Sequence, residues 1–341
     1  MTTDTARTRR RRAILGLKFA VVAALLAVVV RGNREAIREA FAGGLHAGRF
    51  AMALGCYAAG VLLAILRWFL LVRAVGLPFR PRDAMRLGFI GMFFNFVLPG
   101  AIGGDFVRAA ALSREQGRTT RPIATVVVDR LAGLLGLFLL ATLVGTLGWS
   151  SLAPPVRRLV TTAAIASAVT AAILGAAFLP GLGRDPAHHS AKRAELAAVG
   201  IAYRSRWWVL IVGVLMALVT HSLVVLGFYN ASRAALPGVP GPAEHFLIVP
   251  LVLFSTAVPL PLGALGVSEQ VSSGLFELAG FRGGAVAMLL FRVLQFAVAA
   301  FGGLVYLANA TQVKELTATA EHLDERLIAE EARDEATRAG S

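Results

Sequence analysis

Residues 95–108 read N-F-V-L-P-G-A-I-G-G-D-F-V-R, and no other stretch restricts the fold of this chain so sharply. An apolar run gives way to proline, glycines and two opposite charges. A helix facing lipid cannot hold such a sequence, because hydrocarbon offers no partner to freed backbone groups or to an ion. Broken backbone and charge at membrane depth persist only where protein or a water-filled cavity surrounds them. In a chain that spans a membrane, this segment therefore marks an interior polar site.

Composition supplies the membrane. The hydrophobic fraction is 57% and the mean hydropathy +0.69, against roughly 45–50% apolar residues in soluble domains. Charged residues make up 16% of the chain, and they cluster. The formal net charge is +14. Residues 311–341 hold eight acidic and four basic residues, so the rest of the chain carries 30 basic against 12 acidic. No basic face is interleaved with stacking aromatics, so no nucleic-acid partner is expected. In a membrane protein the excess sets orientation and meets anionic headgroups. The single cysteine, Cys56, excludes an intramolecular disulfide and a cysteine-rich metal site.

Hydropathy and charge divide the chain. Residues 13–30 form a first span behind Arg7 and Arg9–Arg12, read as an uncleaved anchor with a cytoplasmic N-terminus. Residues 50–72 form a second span, ending among Arg67, Arg73, Arg80, Arg82 and Arg86. Arg67, Arg73 and Arg86 are expected to snorkel to headgroups. Residues 87–106 are the broken segment, with basic clusters on both flanks, so it is expected to dip in and return. Residues 122–147 cross outward and 159–179 inward. Residues 184–206 read as a cytoplasmic linker, 207–228 as an outward span and 231–243 as an external loop. Residues 245–282 are a second broken segment centred on V-P-L-P-L-G-A-L-G-V-S-E, and 284–309 cross back. Leu316, Ala320, Leu323 and Leu327 place one amphipathic helix in the tail.

This layout repeats. Each half, 13–147 and 159–309, reads span, span, broken hairpin, span. Three crossings per half invert the second half relative to the first. Gly103-Gly104-Asp105 is followed 25 positions later by Arg130, and Gly266-Val267-Ser268-Glu269 is followed 23 positions later by Arg292. Paired broken segments in inverted repeats are characteristic of transporters, whose sites form where the breaks meet.

Charges inside the spans point to the site. A charge at the bilayer centre costs roughly 2.5–3.5 kcal/mol on insertion scales, so each needs a partner or a wet cavity. Asp105 and Arg108 stand three apart and share a helical face. Asp129 and Arg130 are adjacent and should have different partners. Arg108, Arg130 and Arg292 have the forked donors suited to a phosphate. Asn95 and the amides around Gly103 and Gly104 would add neutral donors. Glu269 completes the substrate-binding set. The competing reading makes Asp105 with Arg108, and Glu269 with Arg292, ion pairs that fix packing. Pro99, Pro259 and Pro261 break helices. His221 is expected to bond a neighbouring helix. His188 and His189 lack a third ligand, so no metal is expected, and no cofactor either. No G-x-S-x-G, H-E-x-x-H or P-loop pattern occurs, so no catalytic residue is assigned and enzymatic activity is not expected.

Four motifs carry a family resemblance: N-x-x-L-P-G-x-x-G-G-D-x-x-R at residues 95–108, Arg67-Trp68, Asp129-Arg130-Leu131, and P-x-P-x-G-x-x-G-x-x-E at residues 259–269. Together they resemble the lysylphosphatidylglycerol synthase transmembrane, or flippase-like, family over about residues 13–310. The resemblance implies an integral inner-membrane protein that handles lipids. The best-understood members join this region to an aminoacyl-transferase domain. No such domain follows Asn309 in this sequence, so a stand-alone membrane region without lysyl transfer is expected. Other stand-alone members are linked to hopanoid or polyisoprenyl-glycan pathways.

The expectation is thus an all-α polytopic bundle of about six spans and two re-entrant hairpins. Residues 1–12 form a basic cytoplasmic N-terminus, 13–309 the membrane domain and 310–341 a cytoplasmic tail, in a bacterial-type inner membrane. The expected function is translocation of a lipid with a phosphate-containing headgroup. The expected partners are membrane lipids, anionic or polyisoprenyl-phosphate, together with a biosynthetic enzyme. The alternatives are an enzyme or accessory subunit in lipid or lipid-linked glycan modification, and a scaffold.

Overall fold

The computed structural model describes residues 31, 34, 38, 44–97, 103–117, 119–176, 191–257 and 266–309. The expected first span, the breaks at Pro99, Pro259 and Pro261, His188 with His189, and the charged tail lie outside the described residues. Ten α-helices and no strand are found among the described residues. Five helices are long and apolar enough to cross a membrane, and the protein is a multi-pass helical membrane protein. These are α1 (Ala47–Ala74), α4 (Thr120–Leu147), α5 (Pro154–Ala176), α7 (Trp207–Ala235) and α10 (Gly284–Ala308). Four shorter helices come in two pairs: α2 (Pro81–Val97) with α3 (Gly103–Gln116), and α8 (Pro242–Ala257) with α9 (Val267–Leu278). α6 (Ala191–Ser205) precedes α7.

Local sequence accounts for these elements. Proline opens α2, α5 and α8 at the position where its missing N–H costs no hydrogen bond. The five long helices are runs of Leu, Val, Ala and Ile that satisfy their own backbones, as hydrocarbon demands. None of α2, α3, α8 or α9 reaches the approximately 20 residues of a full crossing. Large apolar side chains remain exposed at four-residue spacing, Ile165, Val169 and Ile173 on α5 and Ile211, Leu215 and Val219 on α7. In water such stripes would be a liability; against acyl chains they are solvated.

Two boundaries differ from expectation. The segment read as an external loop at 231–243 is largely helical: α7 continues to Ala235 and α8 begins at Pro242. Arg233 and the small residues around it are good enough helix formers to carry α7 past its apolar stretch. The linker read at 184–206 contains α6, whose Tyr203 is buried and donates its hydroxyl to Leu71 O at 3.0 Å.

The centre is the packing of α1 on α7, flanked by α4 and α10. Trp68, Phe228, Phe276 and Phe291 are fully buried there, with Tyr57 edge-on to Phe291 at 5.3 Å. Around it the halves exchange helices: α2 packs on α10, and α8 packs on α4. The first helix of each short pair therefore rests on the last long helix of the other half, and the second helix on that of its own.

Candidate functional site

α3 and α9 share a starting pattern. Asp105 is the third residue of α3 and Glu269 the third residue of α9. Each acid lies in a first turn, where free N–H groups and the helix dipole favour negative charge. Each also receives a guanidinium from the long helix that follows.

In the first cluster Asp105 is buried and accepts from two arginines. Arg108 Nη2 donates to Oδ1 and Arg130 Nε to Oδ2. Arg108 reaches Asp105 because residues three apart on a helix are neighbours. Arg130 comes from α4. One residue earlier, Asp129 accepts from Arg67 Nε of α1 at 2.8 Å and lies 3.9 Å from Arg108 Nη2. The Arg108 guanidinium stands 4.9 Å over the Trp68 ring, a cation–π contact that helps hold the charge. The result is one chain of ions, Arg67–Asp129–Arg108–Asp105–Arg130, across α1, α4 and α3. Three arginines face two aspartates. The Arg130 side chain is 38% exposed while that of Asp105 is 4% exposed, so the chain has a buried root and one partly open end.

The backbone beside it is equally constrained. Gly104 N–H donates to Asn95 Oδ1 at 2.9 Å, which ties α3 to α2. A Cβ on Gly104 would fall on the carbonyl of Gly91, so only glycine lets the two helices approach. Asn95 Oδ1 therefore accepts, and the Gly104 amide, expected as a donor to a ligand, is occupied within the protein. Farther along the pair, Arg86 donates to Glu115 Oε1 at 2.7 Å and lies 3.5 Å from Asp83 Oδ1. Partial burial raises the Glu115 carboxyl above its ordinary range; the Arg86 guanidinium opposes that shift and Asp83 adds to it.

The second cluster is tighter. Arg292 Nε donates to Glu269 Oε1, and Arg292 Nη2 to Ser268 Oγ at 2.6 Å. The Ser268 hydroxyl donates to Glu269 Oε2 at 3.1 Å, and Gly266 N–H to the same oxygen at 2.6 Å. Gly266 has φ +91°, a conformation that glycine adopts without strain. Glu269 and Arg292 side chains are 1% and 3% exposed.

The sequence put Asp105 within reach of Arg108 and gave Asp129 and Arg130 different partners, and both contacts are present; the Glu269–Arg292 pair is the contact named by the competing packing reading. The arginines expected around one phosphate stand instead in two clusters, Arg108 and Arg130 on Asp105, Arg292 on Glu269. Each acid holds its nearest guanidinium, because an unpaired ion at this depth is costlier than a pair. Arg67 does not snorkel. It is buried on Asp129, and a Cβ at Gly133 would lie 3.2 Å from its Nη2. Arg86 likewise turns to Glu115. Depth was the available signal for Arg67: five apolar residues follow it before Arg73. His221 bonds Gly133 O of α4 at 3.0 Å, as expected of an interhelical histidine. Glu277 is exposed and receives only the Ser273 hydroxyl, 3.2 Å away.

No cluster of three or more metal-ligating side chains occurs among the described residues. The sequence matches the family described as "Lysylphosphatidylglycerol synthase TM region" over residues 15–303. No curated protein matches it.

Proposed function

The chain belongs to the lysylphosphatidylglycerol synthase transmembrane-region family, and from that premise we propose that it moves a lipid with a phosphate-containing headgroup between leaflets. The family is associated with lipid modification or flipping. The observation that carries the finer reading is the excess of arginine around Asp105, with Arg130 partly exposed at its open end. A guanidinium that stays partly exposed beside a carboxylate can turn toward a phosphate, replacing hydration lost on entering the membrane. Arg108 and Arg130 make that contact in this reading. Asn95, Gly103, Gly104 and Asp105 hold the donors in place. Glu269 and Arg292 form the counterpart in an inverted second half. The reciprocal packing of α2 on α10 and α8 on α4 supports that inversion.

Asp105 and Glu269 are each engaged by two or more donors. That favours facilitated movement down a gradient over proton carriage by either acid. The short pairs α2–α3 and α8–α9 act as re-entrant hairpins. Both termini face the cytoplasm of a bacterial-type inner membrane, and the lipid is anionic or a polyisoprenyl phosphate.

The test is lipid exchange in sealed liposomes containing purified protein. Fluorescent analogues should reach an external quencher faster with protein than without, and Arg130→Gln should slow that exchange while the protein stays folded. A panel of anionic and polyisoprenyl lipids without protein-dependent exchange would favour an accessory role in lipid-linked glycan synthesis.

A further inference from the structure

We infer a second anion site, built for the phosphate of an anionic phospholipid, at the end of α1 and α7 opposite Arg67. The inference rests on the translocation reading above. A cavity of about 840 Å³ opens there, lined among others by His46, Arg49, Met52, Asn230 and Arg233. That volume lies in the usual range for small-molecule sites, roughly 300–1,000 Å³. Among the described residues its lining contains two arginines and a histidine and no aspartate or glutamate.

The two guanidiniums come from different helices fixed at one corner. Arg49 stands in the first turn of α1 and Arg233 in the last turn of α7. His46 N–H donates to Ala234 O at 2.8 Å and joins the two ends. Among the described residues neither Arg49 nor Arg233 enters an ion pair, whereas Arg67, Arg108, Arg130 and Arg292 all sit on carboxylates. Two cations that line one cavity, with no ion pair of their own among the described residues, suit a counter-ion from outside. Met52, 59% exposed, and Leu236 give the lining an apolar side suited to an acyl chain and useless to free phosphate.

Position gives the site its role. Arg49 and Arg67 are 18 residues apart on one helix, about 27 Å at 1.5 Å per residue. The hydrocarbon core is about 30 Å thick. The cavity therefore lies most of a hydrocarbon thickness away from Arg67 and the Asp105 cluster it holds, placed to hand a headgroup to that cluster or to take one from it.

The experiment uses the full chain with Cys56→Ser and Gly48→Cys in lipid nanodiscs. A Cβ at Gly48 meets nothing within 4 Å, so the probe fits. Modification by a neutral maleimide should be severalfold slower in phosphatidylglycerol–phosphatidylcholine discs than in phosphatidylcholine alone. Adding Arg49→Gln and Arg233→Gln should restore the faster rate, and a control at Ser150→Cys should not respond to lipid. Protection by inorganic phosphate in phosphatidylcholine discs would overturn the lipid assignment in favour of a free-phosphate site. Equal rates in all discs would overturn the site itself. Exchange that fails in Arg130→Gln yet is unchanged in Arg49→Gln/Arg233→Gln would overturn this role and leave translocation standing. Protection in a protein that exchanges no lipid would instead sink translocation and keep the anion site.

Discussion

Asp129 and Arg130 are adjacent in the chain and hold two different neighbours of α4: Asp129 takes Arg67 of α1, and Arg130 reaches Asp105 of α3. Successive residues on a helix point about 100° apart, so one dipeptide braces two helices on two sides. The two bonds have opposite polarity, which leaves α4 itself neutral at this level. Charge is thus distributed across the bundle without any helix carrying it alone.

Removing Asp105 should therefore cost more than removing either arginine. Asp105→Asn strips the carboxylate from two guanidiniums at once. Breaking a buried pair from one side typically costs about 3–5 kcal/mol, and here the exposed end of Arg130 should soften that loss. Thermal unfolding in detergent should show a large drop for Asp105→Asn and partial recovery in Asp105→Asn/Arg108→Gln. If the double variant also regains lipid exchange, Arg108 is a packing residue and its binding role fails.

Gly104→Ala tests the crossing of α2 and α3. Its methyl would land on the Gly91 carbonyl, so the helices must part and the Asn95 bond must stretch. Overpacking of this kind costs about 1–3 kcal/mol or more. Gly274→Ala is the contrast, since nothing lies within 4 Å of its Cβ and alanine gains up to about 1 kcal/mol of helix propensity. Melting temperatures should fall for the first and hold or rise for the second. Equal tolerance of both would mean that the close crossing is absent.

Glu269 and Arg292 should behave as a sealed pair. Glu269→Gln leaves Arg292 buried with a neutral partner, and Arg292→Gln leaves Glu269 with Ser268 and the Gly266 amide. The second change should be milder, because the carboxylate keeps two donors. Folded yield in membranes would rank them. A greater loss for Arg292→Gln would contradict the bonding seen around Glu269.

Orientation can be read by thiol accessibility in intact cells. In a Cys56→Ser background, a cysteine at Gly238 should react with an impermeant reagent, while cysteines at Arg80 and Arg204 should be shielded. All three positions are exposed. Reaction of Gly238 and Arg204 from the same side would refute the proposed placement of α7.

The long helices were legible because a span must announce itself: each is predominantly apolar over 18 residues or more, even where α1, α4 and α10 carry an interior charge. The i,i+3 pair Asp105–Arg108 was legible for the same local reason. Arg67 was not, because its partner lies 62 residues away and no short-range spacing encodes that contact. α6 was hidden because it is amphipathic and charged, so hydropathy alone merged it into a linker. The Asn95–Gly104 bond was not legible, since an amide side chain offers both a donor and an acceptor and only the packing of α2 on α3 shows what its oxygen meets.

The exchange of helices between halves also dictates an order of assembly. α2 finds its bed against α10, and Gly302 of α10 lies so close to the Phe89 carbonyl that a Cβ would strike it. Those residues are more than 200 positions apart. During synthesis α2 therefore lacks its bed until nearly the last residue of α10 has entered the membrane, although the Asp105 cluster draws all its ions from the first half. Contacts closed across so long a loop form late, and the interval before they form is when the insertion machinery or a protease would meet the chain. A truncation in α10 should accordingly loosen α2 first and reach the Asp105 cluster only through the Asn95–Gly104 bond.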